Sequence, residues 1–542
     1  MKNKLKISSP FFLLIFMIFA LKSCTSPNEP EEKPQIFRYN QPNAVTSLDP
    51  AFARNLTNMW AVDHLYNGLV QFDKDLNVKP AIAQSWEILD GGLRYVFVLR
   101  DDVFFHDNSC FPDGKGRKVV ASDFVYSFKR IISDEVNSPG SWIFRGKVRS
   151  EDPFVAVDDQ TFEVHLKVPF RPMLGVFAMQ YCSVVAKEAV EQYGKDFRAN
   201  PVGTGAFTFA NWIENQALIL RKNDNYFEAG LPKVDGVRIN FLGDRNTGYL
   251  EFMKNNLDFI SGLEASFVDN LLTKEGDLKP ELAEKVDFYK APFLNMEYFG
   301  ILMDFESEKN ADNPLRFKEV RQALNYGFDR AKMIRSLRNN VGEVANAGFV
   351  PKGLPSFDAE KVNGYSYNPA KARQLLADAG FPEGKGMPEI SLKTSNDYLD
   401  ICTFISRQWE DLGIKVKIDL MQSATLREMM RKGQATFFRA SWIADYPDAE
   451  NFLGVFYGKN SAPPNYTRFK NDEFDKLYEQ ALAENDNNKR YAIYHEMDRI
   501  LIEEAPVIFL YYDETARFSS KSITGYTNNA INLLTVKNLA SQ

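Results

Sequence analysis

Cysteine and histidine are scarce in this chain, with four of each among 542 residues. His64, His106, His165 and His495 stand far apart and form no HExxH-like pair, which leaves metal-assisted and imidazole-base chemistry poorly supplied. Neither sign of charge prevails: 65 Lys and Arg against 72 Asp and Glu give a net −7, with the two signs interspersed. That balance offers no basic face, so no nucleic-acid partner is expected. No GxSxG elbow, Walker-type glycine loop or paired Cys/His spacing occurs. A catalytic residue, a metal site and a cofactor are therefore all unexpected, and the chain reads as a binder and not an enzyme. Beyond residue 35 no apolar run approaches the roughly 18–20 residues that span a bilayer.

What is present is ordinary globular material in unusual quantity. The 44% hydrophobic and 25% charged composition is that of a soluble fold, and the length calls for two or three lobes. Aromatics reach 13%, with 44 Phe and 23 Tyr, a stock for core packing that can also line a roomy cleft.

The amino terminus has its own grammar. Lys2, Lys4 and Lys6 precede an apolar run from Pro10 to Leu21, too short for a permanent span, and then Leu21-Lys22-Ser23-Cys24. Residues 1–23 read as an export signal. The Leu-x-Ser-Cys end resembles the lipobox of bacterial lipoproteins, which implies that Cys24 carries lipid. Residues 24–35, rich in Pro and Glu, read as a disordered tether. The body is then expected in the periplasmic space, lipid-anchored to a membrane. Cys110, Cys182 and Cys402 remain, enough for one disulfide or for three free thiols.

Strand and helix patterns interleave from Ile36 onward, so the fold class is α/β. Alternation predicts strands at Tyr95–Leu99, Ala217–Arg221, Gly236–Phe241, Ile390–Thr394, Lys415–Leu420 and Val507–Tyr512. Asn368-Pro369 opens a helix that Gly380 closes. Asn313-Pro314 opens another, with Phe317, Val320, Ala323 and Leu324 as its apolar stripe. Two more are expected at about Asp472–Glu484 and Lys489–Glu504, the latter stopping before Pro506.

Several phrases then occur in one order: Lys79–Glu87 (KPAIAQSWE), Tyr95–His106 (YVFVLRDDVFFH), Ala121–Phe128 (ASDFVYSF), Asn200–Phe207 (NPVGTGAF), Val320–Tyr326 (VRQALNY) with Asp329-Arg330, Tyr367–Arg373 (YNPAKAR) and Ser441–Asp448 (SWIADYPD). Together they resemble the extracellular solute-binding proteins of peptide and nickel ABC transporters, the family-five binding proteins. The likeness spans roughly residues 36–515. It implies a two-lobed clamshell of the periplasmic-binding-protein type (type II, large peptide-binding class) with an additional domain. Lobe I would comprise 36–66, 203–291 and 513–542, the additional domain 67–202, and lobe II 292–512. The implied partners are short peptides and the permease and ATPase subunits of an ABC transporter, with the receptor a monomer. Against the usual short turn, Asp107–Lys118 looks like an inserted surface loop.

Within the last phrase the resemblance implies a site. Asp445 matches the Asp that neutralises a peptide's amino terminus in oligopeptide-binding members, and Arg439 matches an Arg that meets its carboxylate. The chemistry fits, because enclosing either end of a zwitterion unpaired costs several kcal/mol. Asp accepts from an ammonium, and Arg forks onto a carboxylate. Six residues of extended chain reach roughly 20 Å at about 3.3 Å each, near the length of a short peptide. The guest's backbone would lie between Arg54, Asn55 and Leu56 on one side and Ser441, Trp442 and Ile443 on the other, paired as an added strand. Trp442 and Tyr446 would wall the side-chain pockets. A non-peptide solute, an oligosaccharide or a metal chelate, is the alternative within the same fold. The spaced charge pair favours a zwitterion, and the shortage of histidine disfavours nickel.

Overall fold

The computed structural model describes residues 34–264, 266–307, 310 and 312–542. The expected signal, Cys24 and most of the tether lie outside the described residues. Among the described residues no helix is long and apolar enough to cross a membrane, and no group of His, Cys, Asp and Glu is placed to hold a metal.

One mixed sheet organises the molecule. From one edge its order is Val416–Leu420, Ile390–Thr394, Phe437–Ile443, Val286–Ile301, Val507–Ser520, Phe259–Ser261, Ile36–Asn40, Gly236–Asn240, Ala217–Lys222 and Phe207–Ile213. Two long antiparallel strands, Val286–Ile301 and Val507–Ser520, run from one half of this sheet to the other. Their pairing slips between Pro292 and Met296, opposite Tyr512 to Glu514. On one side of the slip Val286–Pro292 pairs with Glu514–Ser520; on the other, Met296–Gly300 pairs with Val507–Tyr512.

The stretch from Phe293 to Ile301 is buried throughout because it packs on both faces. Met296 and Tyr298 join a cluster with Phe438 and Phe509, while Phe299 and Ile301 join a cluster with Phe437 and Trp409. A strand buried on both sides has no apolar–polar alternation to read, and for that reason the sequence pattern passes over it. Val507–Ser520 similarly runs eight residues past its expected end.

A second, four-stranded antiparallel sheet, Ala83–Leu89, Arg94–Leu99, Thr161–His165 and Phe154–Ala156, packs with the helix Ala121–Ile132. Much of the phenylalanine stock is spent here: Phe128 meets Phe144, Phe154, Phe162 and Phe177 with ring centroids 5.0–6.1 Å apart. This core is continuous with that around Phe37, Tyr39 and Val237. The Asn200–Phe207 phrase supplies the close join. A Cβ on Gly203 would fall 2.0 Å from the Leu65 carbonyl oxygen, and one on Gly205 2.3 Å from its carbon, so only glycine lets the backbones touch.

The remaining expected strands fall at Arg94–Leu99, Ala217–Lys222, Gly236–Asn240, Ile390–Thr394 and Val416–Leu420. The helix Pro369–Asp378 starts under an Asn368 cap, its side chain accepting from the Lys371 amide at 3.0 Å, and Gly380 takes φ +88° beyond its end. The helices Asp472–Ala483 and Asn487–Glu504 match their expected spans to within two residues. One correction concerns Asn313-Pro314. They open only a short 3-10 turn, the α-helix starts at Lys318, and Phe317 sits at its cap, 40% exposed, instead of on the buried stripe. The loop 107–118 is surface structure pinned by Phe111, which stacks on Phe105 at 6.2 Å. Cys110, Cys182 and Cys402 are free thiols.

Candidate ligand cleft

The strand Phe437–Ile443 brings the site residues together. On one side it pairs with Val286–Ile301 along its whole length; on the other it meets Ile390–Thr394 only at Phe438, opposite Lys393. Ala440 to Ile443 therefore have a sheet neighbour on one side alone among the described residues. Their outward backbone groups form an open edge, the feature that an extended peptide can extend. Ser441 and Trp442 are half-buried on this edge, and Ile443 is 46% exposed at its end.

Asp445 follows two residues on. It is open to solvent and makes no ion pair among the described residues. Crowding by the surrounding protein pushes its carboxyl up to about 6, only partly offset by a long hydrogen bond from the Asn451 amide at 3.5 Å. Asn451, buried in the short helix Glu450–Leu453, fixes this corner. Its carbonyl oxygen accepts from the Asp445 backbone amide and from the Trp442 indole, both at 3.1 Å. Asp445 thus has a held backbone and an unspent charge.

Arg439 is in the opposite state. Its guanidinium is ion-paired with Glu297, the two side chains being 11% and 5% exposed, and it lies over the Tyr398 ring. Glu297 also accepts from Asn295 at 3.0 Å, Asn295 donates to Asp513 at 3.0 Å, and Asp513 pairs with Arg338 at 2.6 Å. Two cations and two carboxylates close a neutral network beside the slip in the connecting strands. The expectation that Arg439 has a free fork for a guest carboxylate is corrected accordingly: an internal carboxylate already holds it. Its Nε and the Asn295 side-chain oxygen are the network's buried atoms without a hydrogen-bond partner.

Tyr446 is likewise corrected. It is 4% exposed, stacks with Trp142 at 6.4 Å, meets Phe170 edge-on at 6.2 Å and donates its hydroxyl to Glu450. It joins the four-stranded domain to the second half of the large sheet and does not wall a pocket. A Cβ on Gly175 would stand 3.7 Å from Phe72, 3.9 Å from Pro447 and 4.0 Å from Tyr446, so this joint is close-packed.

Arg54 is exposed and makes no ion pair among the described residues. Its charge and that of Asp445 both act on Tyr181, whose phenol is raised by burial, further by Asp445, and lowered by Arg54. Asn55 is extended (φ −140°, ψ 158°) but serves as a helix cap, accepting from the Asn58 amide at 2.9 Å, and Leu56 begins the helix Leu56–Leu65. The Asn55 carbonyl is also taken, by the Met59 amide. The segment therefore offers a guest the Arg54 side chain more readily than a full strand edge.

Residues Asn451, Glu297, Asn295 and Tyr181 escape the sequence reading. A signal for two of them existed: Asn295 and Glu297 are isolated polar residues inside an otherwise apolar run, and a polar group set among core residues is the informative exception.

The profile of bacterial extracellular solute-binding proteins, family 5 Middle, matches residues 77–464. The chain belongs to this family. Among curated family-5 relatives, the glutathione-binding protein GsiB of Salmonella paratyphi A is 26% identical over 490 residues, covering 89% of this chain and 90% of the relative. Among solved structures, the periplasmic binding protein DppA from Helicobacter pylori in complex with peptide STSA superposes with a TM-score of 0.76 at 23% identity. HbpA2 from Haemophilus parasuis does so with a TM-score of 0.80, also at 23% identity. Each covers 94% of this chain and is itself covered to 99%. The fold is that of the two-lobed periplasmic binding proteins, and the family's role is solute binding, not catalysis.

Proposed function

We propose that this protein captures short peptides for an ABC importer, holding the guest's ammonium on Asp445 and its backbone along the open edge Ala440–Ile443. The observation that carries this reading is an uncompensated carboxylate standing at the end of an unpaired strand edge. A strand edge supplies sequence-independent backbone bonds, and the acid supplies polarity, so together they fix one end of an extended chain. The printed names of relatives agree with a peptide class: one binds glutathione, and another is seen with a tetrapeptide.

In this reading Ser441, Trp442 and Ile443 flank the guest from one side and Arg54 with Asn55 and Leu56 from the other, while Arg439 acts behind the cleft wall through Glu297. The lobes divide as 36–66, 203–291 and 513–542 against 292–512, with 67–202 as the additional domain. The slip between Pro292 and Met296 supports that division. The basic and apolar start and Leu21–Cys24 support a periplasmic receptor tethered by lipid on Cys24, which this reading takes to act as a monomer.

Native mass spectrometry of the protein purified from its host tests the ligand class. Co-purifying masses separated by amino-acid residue weights are expected, and a hexose ladder would sink the peptide reading.

A further inference from the structure

Beside the cleft lies a cavity of about 400 Å³ between the end of the helix Leu56–Leu65, the four-stranded domain and the C-terminal segment 527–538. Gln180 in its wall adjoins Tyr181, whose phenol senses Asp445, and Phe72 in its wall lies at the joint formed by Gly175, Pro447 and Tyr446. The cavity therefore opens next to the proposed ammonium-binding end.

Its charges do not cancel locally. Lys537 is bonded to Glu228 at 2.8 Å and to Gln71 at 3.0 Å. Lys74 pairs with Asp75 at 2.8 Å, and Lys79 reaches Asp73 at 3.5 Å. His64 is buried and its ring nitrogen is bonded to the Tyr39 hydroxyl at 3.2 Å; burial pushes it down to about 3, so it brings no charge. Asp63 is the exception. It is half-buried on the cavity wall and makes no ion pair among the described residues. Its one side-chain hydrogen bond is from Gln180 at 3.3 Å. Burial raises its carboxyl to about 6, with the more distant Lys537 and the Gln180 bond working the other way. A carboxylate on the wall of a part-apolar void, with the nearby lysines bonded to other acids and only a distant pull from Lys537, is a counter-ion without a cation in contact among the described residues.

We infer that this cavity is the subsite for a cationic side chain on the guest's amino-terminal residue, with Asp63 as its counter-ion. A lysine or arginine side chain fits the volume comfortably, and since the wall's Asn529 and Tyr226 are bonded within the protein, Asp63 is the acceptor for its head group. The inference rests on the peptide reading above. It adds that a guest carrying two ammonium groups, one for Asp445 and one for Asp63, is preferred.

Isothermal titration calorimetry of the mature protein separates the two claims. The guests are Lys-Ala-Ala, its Nε-acetylated form, and Ala-Ala-Ala, each on the unaltered protein and on Asp63→Asn. The lysine peptide is expected to bind at least tenfold more tightly than its acetylated form, and Asp63→Asn to bring that ratio close to one while changing Ala-Ala-Ala less than twofold. Equal binding of the charged and acetylated guests to the unaltered protein, with Ala-Ala-Ala still bound, overturns the subsite and leaves the peptide reading standing. A uniform loss across all three guests in Asp63→Asn overturns the subsite as well, since it marks a structural role. Failure of every tripeptide to bind overturns both.

Discussion

Arg439 and Asp445 stand six residues apart on one stretch of chain and in opposite electrostatic states. Arg439 lies inside the sheet, neutralised by Glu297 and stacked on Tyr398. Asp445 lies just past the end of the strand, held by its backbone and by Asn451, with no cation in contact. A buried pair draws its worth from being complete, whereas an unpaired acid in a cleft is a cost that a cationic guest can relieve. The two charges therefore differ in standing, one spent within the architecture and one left without an ion pair among the described residues.

Mutation can break that contrast most forcefully at the arginine. Arg439→Ala leaves Glu297 buried without its cation and is expected to cost about 3–5 kcal/mol of stability in a denaturant titration. If stability is unchanged, the network is ornamental and Arg439 is free for a ligand after all. Asp445→Ala should do the reverse, weakening tripeptide binding by about 2–5 kcal/mol in calorimetry while leaving the empty protein at least as stable at neutral pH, since it removes a charge that folding disfavours. Unaltered affinity would dismiss the anchor.

Acidity sharpens the contrast further. The Asp445 carboxyl is raised to about 6, so an ammonium guest competes with a proton below that pH. Affinity is expected to be full above pH 6 and to fall by up to about tenfold per pH unit below it. Asp445's own contribution to the stability of the empty protein runs the other way. A carboxyl raised by folding binds its proton more tightly in the folded state than in the unfolded chain. That contribution therefore grows as pH falls from about 6 toward 4. Asp445→Asn should abolish both slopes at once, and a persisting pH dependence of binding would point to another group. The smallest effect is expected at Arg54, where Arg54→Ala should change stability by no more than about 0.5 kcal/mol, because the side chain is exposed and makes no ion pair among the described residues.

How far the sequence disclosed all this depends on what each feature writes into local pattern. Strands with one wet face, such as Ile390–Thr394, alternate visibly, and the Asn368-Pro369 helix carries its own start and stop. The strand Val286–Ile301 was hidden because half of it is buried on both faces. Asp445 drew notice because its phrase travels as a unit, and its ligand role remains the proposal made above. The occupancy of Arg439 was not, since Glu297 lies on a distant stretch and becomes a neighbour only when Phe299 pairs with Arg439 and Glu297 with Ser441. Tyr446 failed for the same reason: an aromatic beside a site residue looks like a pocket wall until Trp142 and Phe170 arrive from another domain.

The interrupted ladder between Pro292 and Met296 has a consequence for how such a receptor moves. Where two strands have already given up their register, rotating one half of the sheet against the other has fewer ladder bonds to strain, the Leu294 amide bond to the Ala530 carbonyl being one that remains. Side chains bridge the two halves there instead, four of them charged: Arg338 with Asp513 and Arg439 with Glu297. On the proposed reading, a guest along Ala440–Ile443 would press on the strand that carries Arg439, so that ligand capture and the tilt of the two halves would share one mechanical element.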